Sequence, residues 1–125
     1  MAFIADYILD AALSKLDLEG DKLYITSQEE VTYAGAVTTY GLGVKTSLTI
    51  GAPADRLPNG RKVTVAQFAD GNVTATGTAT HYAIVDSVNS RLLATGSLAQ
   101  SQVVTTGNIF SLADMDIGIA DATSV

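Results

Sequence analysis

The sequence predicts an all-β domain, an antiparallel β-sandwich or jelly roll, with one short N-terminal helix. From residue 22 onward, apolar residues recur at alternate positions in short runs that are separated by Gly, Asn and Asp. This pattern is typical of half-buried strands joined by tight turns. No full helices alternate with these runs, so a parallel α/β sheet is not expected. The 125 residues are enough for one domain with one core.

Residues 3–18 have the only clear helical periodicity. The apolar positions that would share one helix face are Ile4, Tyr7, Ile8, Ala11 and Ala12. Asp6, Asp10 and Lys15 fall on the other side, and Gly20 is a stop signal. We therefore divide the chain into an N-terminal helical segment or arm, 1–20, and a β-sandwich domain, 21–125. An isolated helix of this length is marginal in water, so it should pack on its own domain or on a neighbouring subunit.

The strands are assigned from alternation and from turn signals. Strands are predicted at 22–27, 44–50, 61–67, 72–77, 80–86, 91–97, 102–105, 109–112 and 115–120. Turns are predicted at Asp70-Gly71, at 87–90 and at Gly107-Asn108. Residues 51–60 contain two prolines and an Asn-Gly pair and are expected to form a loop. Residues 28–43 are ambiguous, with a helical turn near 33–39.

The charge pattern excludes several classes of partner. The net charge of −6 argues against binding to nucleic acid, which requires Lys and Arg at phosphates, and against an anionic membrane surface. No stretch approaches the ~20 apolar residues of a membrane span, and no signal peptide is expected. Residues 1–31 hold seven acids and two lysines, whereas 45–62 hold four cations and one acid. These are either two separately solvated faces or a head-to-tail match between subunits.

Few residues offer chemistry. The chain has no cysteine and a single histidine, His81, which falls inside a predicted strand. Asp114 and Asp116 would lie about 7 Å apart on one strand face, within reach of a glycosidase pair, and Asp121 could join them around a cation. The simpler interpretation is that these two acids belong to the solvent-exposed face of the strand. We expect no enzyme activity, no cofactor and no metal.

A carbohydrate-binding module of the same fold is an alternative from a different class. Such a module would need exposed aromatic side chains, and the candidates are Tyr33, Tyr40 and Tyr82.

Four segments resemble small proteins of tailed bacteriophages and prophages: residues 4–13, 21–29, 58–64 and 86–96. The likeness extends over nearly the whole length of the chain. It consists of the general character of these segments and their order along the chain, and it includes no catalytic signature. The chain departs from the pattern after Glu29: proline often follows at this point in such proteins, whereas this chain has Glu30. Such proteins tend to be encoded among virion structural genes, so no catalytic residue is carried over.

The resemblance implies a virion component, made in the bacterial host cytoplasm. We expect a capsid decoration (cement) protein that forms a homo-oligomer and binds the major capsid protein. A tail, baseplate, neck or fibre-base component is the alternative. The expected contacts lie in residues 3–13 or in the 51–60 loop and its border, at Phe3, Ile4, Tyr7, Ile8, Arg56, Leu57 and Arg61. A proline-stiffened loop loses less conformational entropy on docking.

Overall fold

The computed structural model of the chain describes residues 5–57 and 59–120. About half of the chain is in strands, and the strands pair antiparallel. The described elements are α1 (Asp6–Glu19), β1 (Lys22–Thr26), a π-helical segment (Gly35–Thr39), β2 (Gly41–Thr46), β3 (Ala54–Asp55), β4 (Arg61–Val65), β5 (Phe68–Val73), β6 (Gly77–Asp86), β7 (Arg91–Val104), β8 (Ile109–Leu112) and β9 (Met115–Ile119). The predicted all-β, sandwich-like fold with one N-terminal helix is confirmed.

Two sheets enclose the core. The larger sheet has the order β7-β6-β1-β2-β5-β8, and the smaller one has the order β3-β4-β9. The larger sheet is curled, and its two edge strands approach each other where Gln102 Nε2 lies 3.4 Å from the carbonyl oxygen of Ser111. Aliphatic side chains from both sheets fill one cluster, with Leu23 and Ile84 from the larger sheet and Val65 from the smaller one fully buried. This burial of apolar area is the main stabilising contribution.

Helix α1 closes this core, but with a different face from the one predicted. Its buried residues are Leu9, Leu13 and Leu16, which recur at i, i+4 and i+7. Tyr7, Ile8, Ala11 and Ala12 are exposed, so this stripe does not pack on the chain's own domain, which was one of the two alternatives expected for it. Its remaining member, Ile4, lies outside the described residues. Leucine buries more apolar area than alanine, which decides the orientation. The predicted stop is confirmed, because the Gly20 N–H donates to the Leu16 carbonyl at 2.8 Å.

The predicted hairpin at Asp70-Gly71 is wrong. Strand β5 continues through these residues, with a register irregularity against β8 between Phe68 and Gly71, and Gly71 pairs with Phe110 of β8. A Cβ on Gly71 would overlap the Phe110 ring, so the glycine supplies room for an aromatic ring rather than a turn. The predicted strand 72–77 accordingly does not form, and residues 74–76 connect β5 to β6 instead.

Strand β7 is longer than predicted. The strands expected at 91–97 and 102–105 are parts of one 14-residue strand. Four residues of β7, 98–101, lie opposite the single β6 residue Thr80, and Leu93 is an extra residue between two paired positions. Both irregularities are β-bulges, so the gap between the two predicted strands corresponds to the larger bulge.

The other elements are close to their predicted positions. Strand β8 and the turn at 87–90 are confirmed, and β9 ends one residue early. The helical turn expected near 33–39 is the π-helical segment. Strand β2 begins and ends earlier than predicted, and Ile50 forms only an isolated bridge to Val65. The loop at 51–60 contains the two-residue strand β3.

Candidate interaction surface

Arg61 connects helix α1 to the 51–60 loop, and both segments were predicted to contact another protein. Its Nε and Nη2 donate to the two carboxylate oxygens of Asp10 at 2.7 and 3.2 Å, and its Nη1 donates to Asp55 at 2.5 Å. The hydrogen bonds to Asp10, followed by those to Asp55, raise the pKa of Arg61 above its ordinary value. Arg61 was predicted to contact another protein, but its guanidinium is engaged inside the chain. It therefore acts as a brace between α1, β4 and β3.

Exposed apolar side chains lie on both of the segments that this brace joins. Tyr7 and Ile8 on α1 are 81% and 55% exposed, and Leu57 in the loop is 88% exposed. We call Tyr7, Ile8 and Leu57 the helix–loop surface. Solvent-facing apolar side chains on a fixed frame are typical of protein contact sites, although single exposed apolar residues are common. Phe3 and Ile4, also predicted to make contacts, lie outside the described residues.

Arg56 is directed along the chain's own surface. Its Nη1 donates to the backbone oxygen of Asn59 at 3.0 Å. A Cβ on Gly118 would lie 2.7 Å from the Arg56 Cδ, so the side chain lies across the edge strand β9. Arg56, a predicted contact residue, thus makes intramolecular contacts, and a binding partner would have to accommodate or replace them.

The cations of residues 45–62 are largely matched within the chain. Lys45 pairs with Asp70 at 2.9 Å, and Lys62 pairs with Asp116 at 2.9 Å. Together with the Arg61–Asp10 pair, these contacts neutralise much of the basic stretch internally. A head-to-tail match between subunits would have to compete with ion pairs that already exist.

The two carboxylates considered for catalysis are engaged in structural contacts. Asp116 accepts hydrogen bonds from Lys62 at 2.9 Å and from Thr64 at 2.7 Å, and these bonds lower its pKa below the ordinary value. A glycosidase's general acid needs a raised pKa, whereas the pKa of Asp116 is lowered. Asp116 is therefore not suited to that role. Asp114 accepts the backbone N–H of Gln67 at 2.6 Å. Asp121 lies outside the described residues, and no group of three metal-binding side chains occurs among residues 5–57 and 59–120.

The histidine and the three candidate tyrosines have different surroundings. His81 Nδ1 is 2.8 Å from the hydroxyl of Thr80, its sequence neighbour. Tyr33 packs against a small cluster of Ala36, Ala83 and Val85. Tyr40 is 37% exposed at the end of the π-helical segment. Tyr82 is half-buried on β6, and burial raises its pKa.

A cleft that the sequence analysis did not identify lies beside Tyr82. It has a volume of about 430 Å³ and lies between the 98–101 bulge of β7 and the β8–β9 connection. The residues that line it include Tyr82, Leu98, Gln100, Gln102, Asp114 and Met115. The interruption between the two predicted strands at 98–101 was the available signal, because bulges often border functional sites.

Comparison with known proteins assigns the chain to no family. No family model matches it, and neither the curated proteins nor the solved structures include a match. Within the described residues, no helix has both the length and the apolar character needed to cross a bilayer. The class that can be stated is an all-β, sandwich-like protein whose N-terminal helix presents an apolar outer face.

Proposed function

We propose that this chain is a structural component of a tailed-bacteriophage virion, and specifically a decoration protein that binds the major capsid protein through the helix–loop surface. Two arguments support it. The segments at 4–13, 21–29, 58–64 and 86–96 resemble small virion proteins. The outer face of α1 carries Tyr7 and Ile8 exposed to solvent, although the same helix already buries three leucines in its own core.

The exposure of Tyr7 and Ile8 is the single observation on which the proposal depends. The helix needs Leu9, Leu13 and Leu16 for its own packing, so apolar residues on the other face contribute little to the monomer. The Asp10–Arg61 ion pair holds this face in place before any contact forms. A pre-ordered surface loses less entropy on binding. On a symmetric shell, many weak contacts of this kind add to stable attachment if the protein is oligomeric.

The test is incorporation into particles. Particles that lack this protein are prepared from the phage or prophage genome that encodes it, mixed with purified protein and sedimented, and bound copies are counted by quantitative mass spectrometry. We expect the wild-type chain to co-sediment and the Tyr7→Ser/Ile8→Ser variant to lose roughly tenfold or more in affinity, since contact hot spots are commonly large apolar side chains.

Val88 and Val103 supply the matched control. They are 84% and 82% exposed, in the β6–β7 turn and near the end of β7, and neither belongs to the helix–loop surface. The Val88→Ser/Val103→Ser variant should bind as the wild type does. Equal losses in the two variants would contradict the assignment of the surface. Failure of the wild-type chain to bind any particle would contradict the virion function.

A tail, baseplate, neck or fibre-base position is the second candidate within the virion. The copy number separates the two positions. A shell protein is present in on the order of hundreds of copies, whereas tail and vertex proteins follow three-fold or six-fold symmetry and reach roughly a few dozen copies. The same mass-spectrometric count therefore decides between them.

A further inference from the structure

The cleft beside Tyr82 is formed by an interruption of the sheet. In the β6–β7 ladder, His81 pairs with Ser97 and Ala79 pairs with Gln102, so residues 98–101 have no regular partners. This bulge moves Leu98 and Gln100 away from the ladder and onto one side of the cleft. The β8–β9 connection, with Asp114, forms the other side. A volume of about 430 Å³ falls within the ~300–1,000 Å³ of small-molecule sites.

Tyr82 is held in a fixed position at this cleft. Gly96 lies opposite Tyr82 in the ladder, and a Cβ at Gly96 would come within 2.6 Å of the Tyr82 hydroxyl oxygen. The ring therefore lies across the glycine, a common arrangement of an aromatic residue over a glycine in β-sheets. Because the ring is half-buried and packed against the main core, it gives the cleft an ordered aromatic wall.

The polar groups at the cleft have hydrogen-bonding capacity that the protein does not use. Within the described residues, neither the Tyr82 hydroxyl nor the Gln100 amide has a hydrogen-bond partner, and Gln100 is exposed. Asp114 uses its Oδ1 to accept the Gln67 N–H, which leaves Oδ2 as an acceptor. Among the described residues that line the cleft there is no Lys, Arg or His, so an anionic ligand would find no counter-charge from them.

We propose that this cleft is a binding site for an uncharged saccharide of one or two sugar units. Sugar hydroxyls donate and accept hydrogen bonds, as do the amide of Gln100 and the hydroxyl of Tyr82, whereas Gln102 Nε2 already donates to the Ser111 carbonyl oxygen at 3.4 Å. The remaining carboxylate oxygen of Asp114 accepts a hydrogen bond from a further sugar hydroxyl. The apolar C–H face of a sugar ring fits against Tyr82, Leu98 and Met115, which are amphipathic or apolar. This site is separate from the helix–loop surface and does not depend on the proposed virion function.

The experiment uses the full chain labelled with ¹⁵N. It is titrated with glucose, galactose, mannose, N-acetylglucosamine and neutral disaccharides of these sugars, and backbone amide shifts are followed. N-acetylneuraminic acid serves as the anionic comparison. We expect at least one neutral sugar to bind with a millimolar Kd and to shift amides in 96–102 and 112–115. The anionic sugar should bind more weakly.

Two variants locate the binding. Gln100→Ala and Tyr82→Phe each remove one hydrogen-bonding group without opening the core, and each should raise Kd by roughly three- to tenfold. Gln28→Ala, at an exposed position in the β1–β2 connection, is the control and should leave Kd unchanged. The proposal is overturned if no sugar shifts these amides, if the shifts centre on Tyr33 or Tyr40, or if both cleft variants bind as the wild type does.

Discussion

Arg61 and Asp10 are 51 positions apart in the chain, and their side chains form a two-point ion pair with N–O distances of 2.7 and 3.2 Å. This pair fixes how α1 lies against β4. The guanidinium also reaches Asp55, so a single side chain joins the helix, a core strand and the loop. The angle of the helix on the domain is therefore determined by a polar contact as well as by the buried leucines.

Removal of this brace should loosen the helix. We expect Arg61→Gln to lower the urea midpoint and to accelerate amide hydrogen exchange in α1, because Asp10 loses both of its hydrogen bonds from Arg61. Asp55→Asn is the control: its carboxylate is 84% exposed, and exposed ion pairs contribute little. If the two variants have equal effects, Arg61 does not act through Asp10.

The two faces of α1 should differ sharply in their contribution to stability. Leu13 is 3% exposed and belongs to the main core, so Leu13→Ala should cost about 2–5 kcal/mol. Ile8 is 55% exposed, and Ile8→Ala should change the free energy of unfolding by less than about 0.5 kcal/mol. Urea denaturation followed by circular dichroism measures both. A cost of more than ~1 kcal/mol for Ile8→Ala would mean that the outer face serves the monomer.

Gly71 and Gly51 form a matched pair that tests the packing of Phe110. Gly71→Ala should destabilise the fold by about 1–3 kcal/mol, because the added methyl group overlaps the ring of Phe110. Around a Cβ on Gly51, the nearest atom is the Thr64 backbone oxygen at 3.8 Å. Gly51→Ala should therefore be neutral or should stabilise by up to ~1 kcal/mol. Thermal unfolding of both variants checks this, and equal effects would contradict the role assigned to Phe110.

Glu30 is a site where substitution should increase stability. Its side chain is buried, at 6% exposure, and its Oε2 has no hydrogen-bond partner among the described residues. An unsatisfied buried polar atom is costly, so Glu30→Met should raise the free energy of unfolding by about 1 kcal/mol. Glu29→Met, at the exposed neighbouring position, is the control and should stay within about 0.5 kcal/mol. A destabilised Glu30→Met variant would show that the carboxylate has a necessary contact.

Acid should destabilise the protein partly through Asp21. Burial opposes ionisation of this carboxylate, but hydrogen bonds from the hydroxyl and the backbone N–H of Ser87 leave its pKa below the ordinary 3.8. The folded state therefore remains ionised where the unfolded chain already binds protons. This stabilisation is complete above about pH 5 and is lost as the pH falls through roughly 4 toward the folded pKa.

Urea denaturation between pH 7 and pH 3 tests the role of Asp21. Asp21→Asn should be less stable at pH 7 by about 1 kcal/mol, and its stability should fall less steeply on acidification than that of the wild type. A pH profile parallel to the wild-type profile would assign the acid sensitivity to other carboxylates, such as Asp116.

The sequence predicted the regular elements well because their signals are local. Strand β8 and the turn at 87–90 depend on alternation and on small polar residues, which are visible in a short window. The Asp70-Gly71 pair has the same local signal, but Phe110 of β8 occupies the space beside Gly71. Tertiary packing thus overrode a turn preference, as it often does.

The candidate sites were harder to predict because they depend on distant contacts. The sequence identified Tyr7 and Ile8 as contact residues on a helix stripe that could pack on its own domain or on a neighbouring subunit. Only the exposure of both side chains in the structure removes the first alternative. Arg61 appeared as a free cation because its partner, Asp10, is distant in sequence. The cleft beside Tyr82 requires the β6–β7 register and the β8–β9 connection together, and neither can be inferred from spacing alone.

The two bulges in β7 also affect how the protein behaves at high concentration. An edge strand of 14 residues with Arg91 as its only charge would ordinarily invite other chains to add in register and grow into fibres. The extra residue at Leu93 and the displaced segment 98–101 leave only 94–97 as a regular run between them. An incoming strand therefore finds too short a template to extend, and backbone irregularity protects this edge where charged residues usually do.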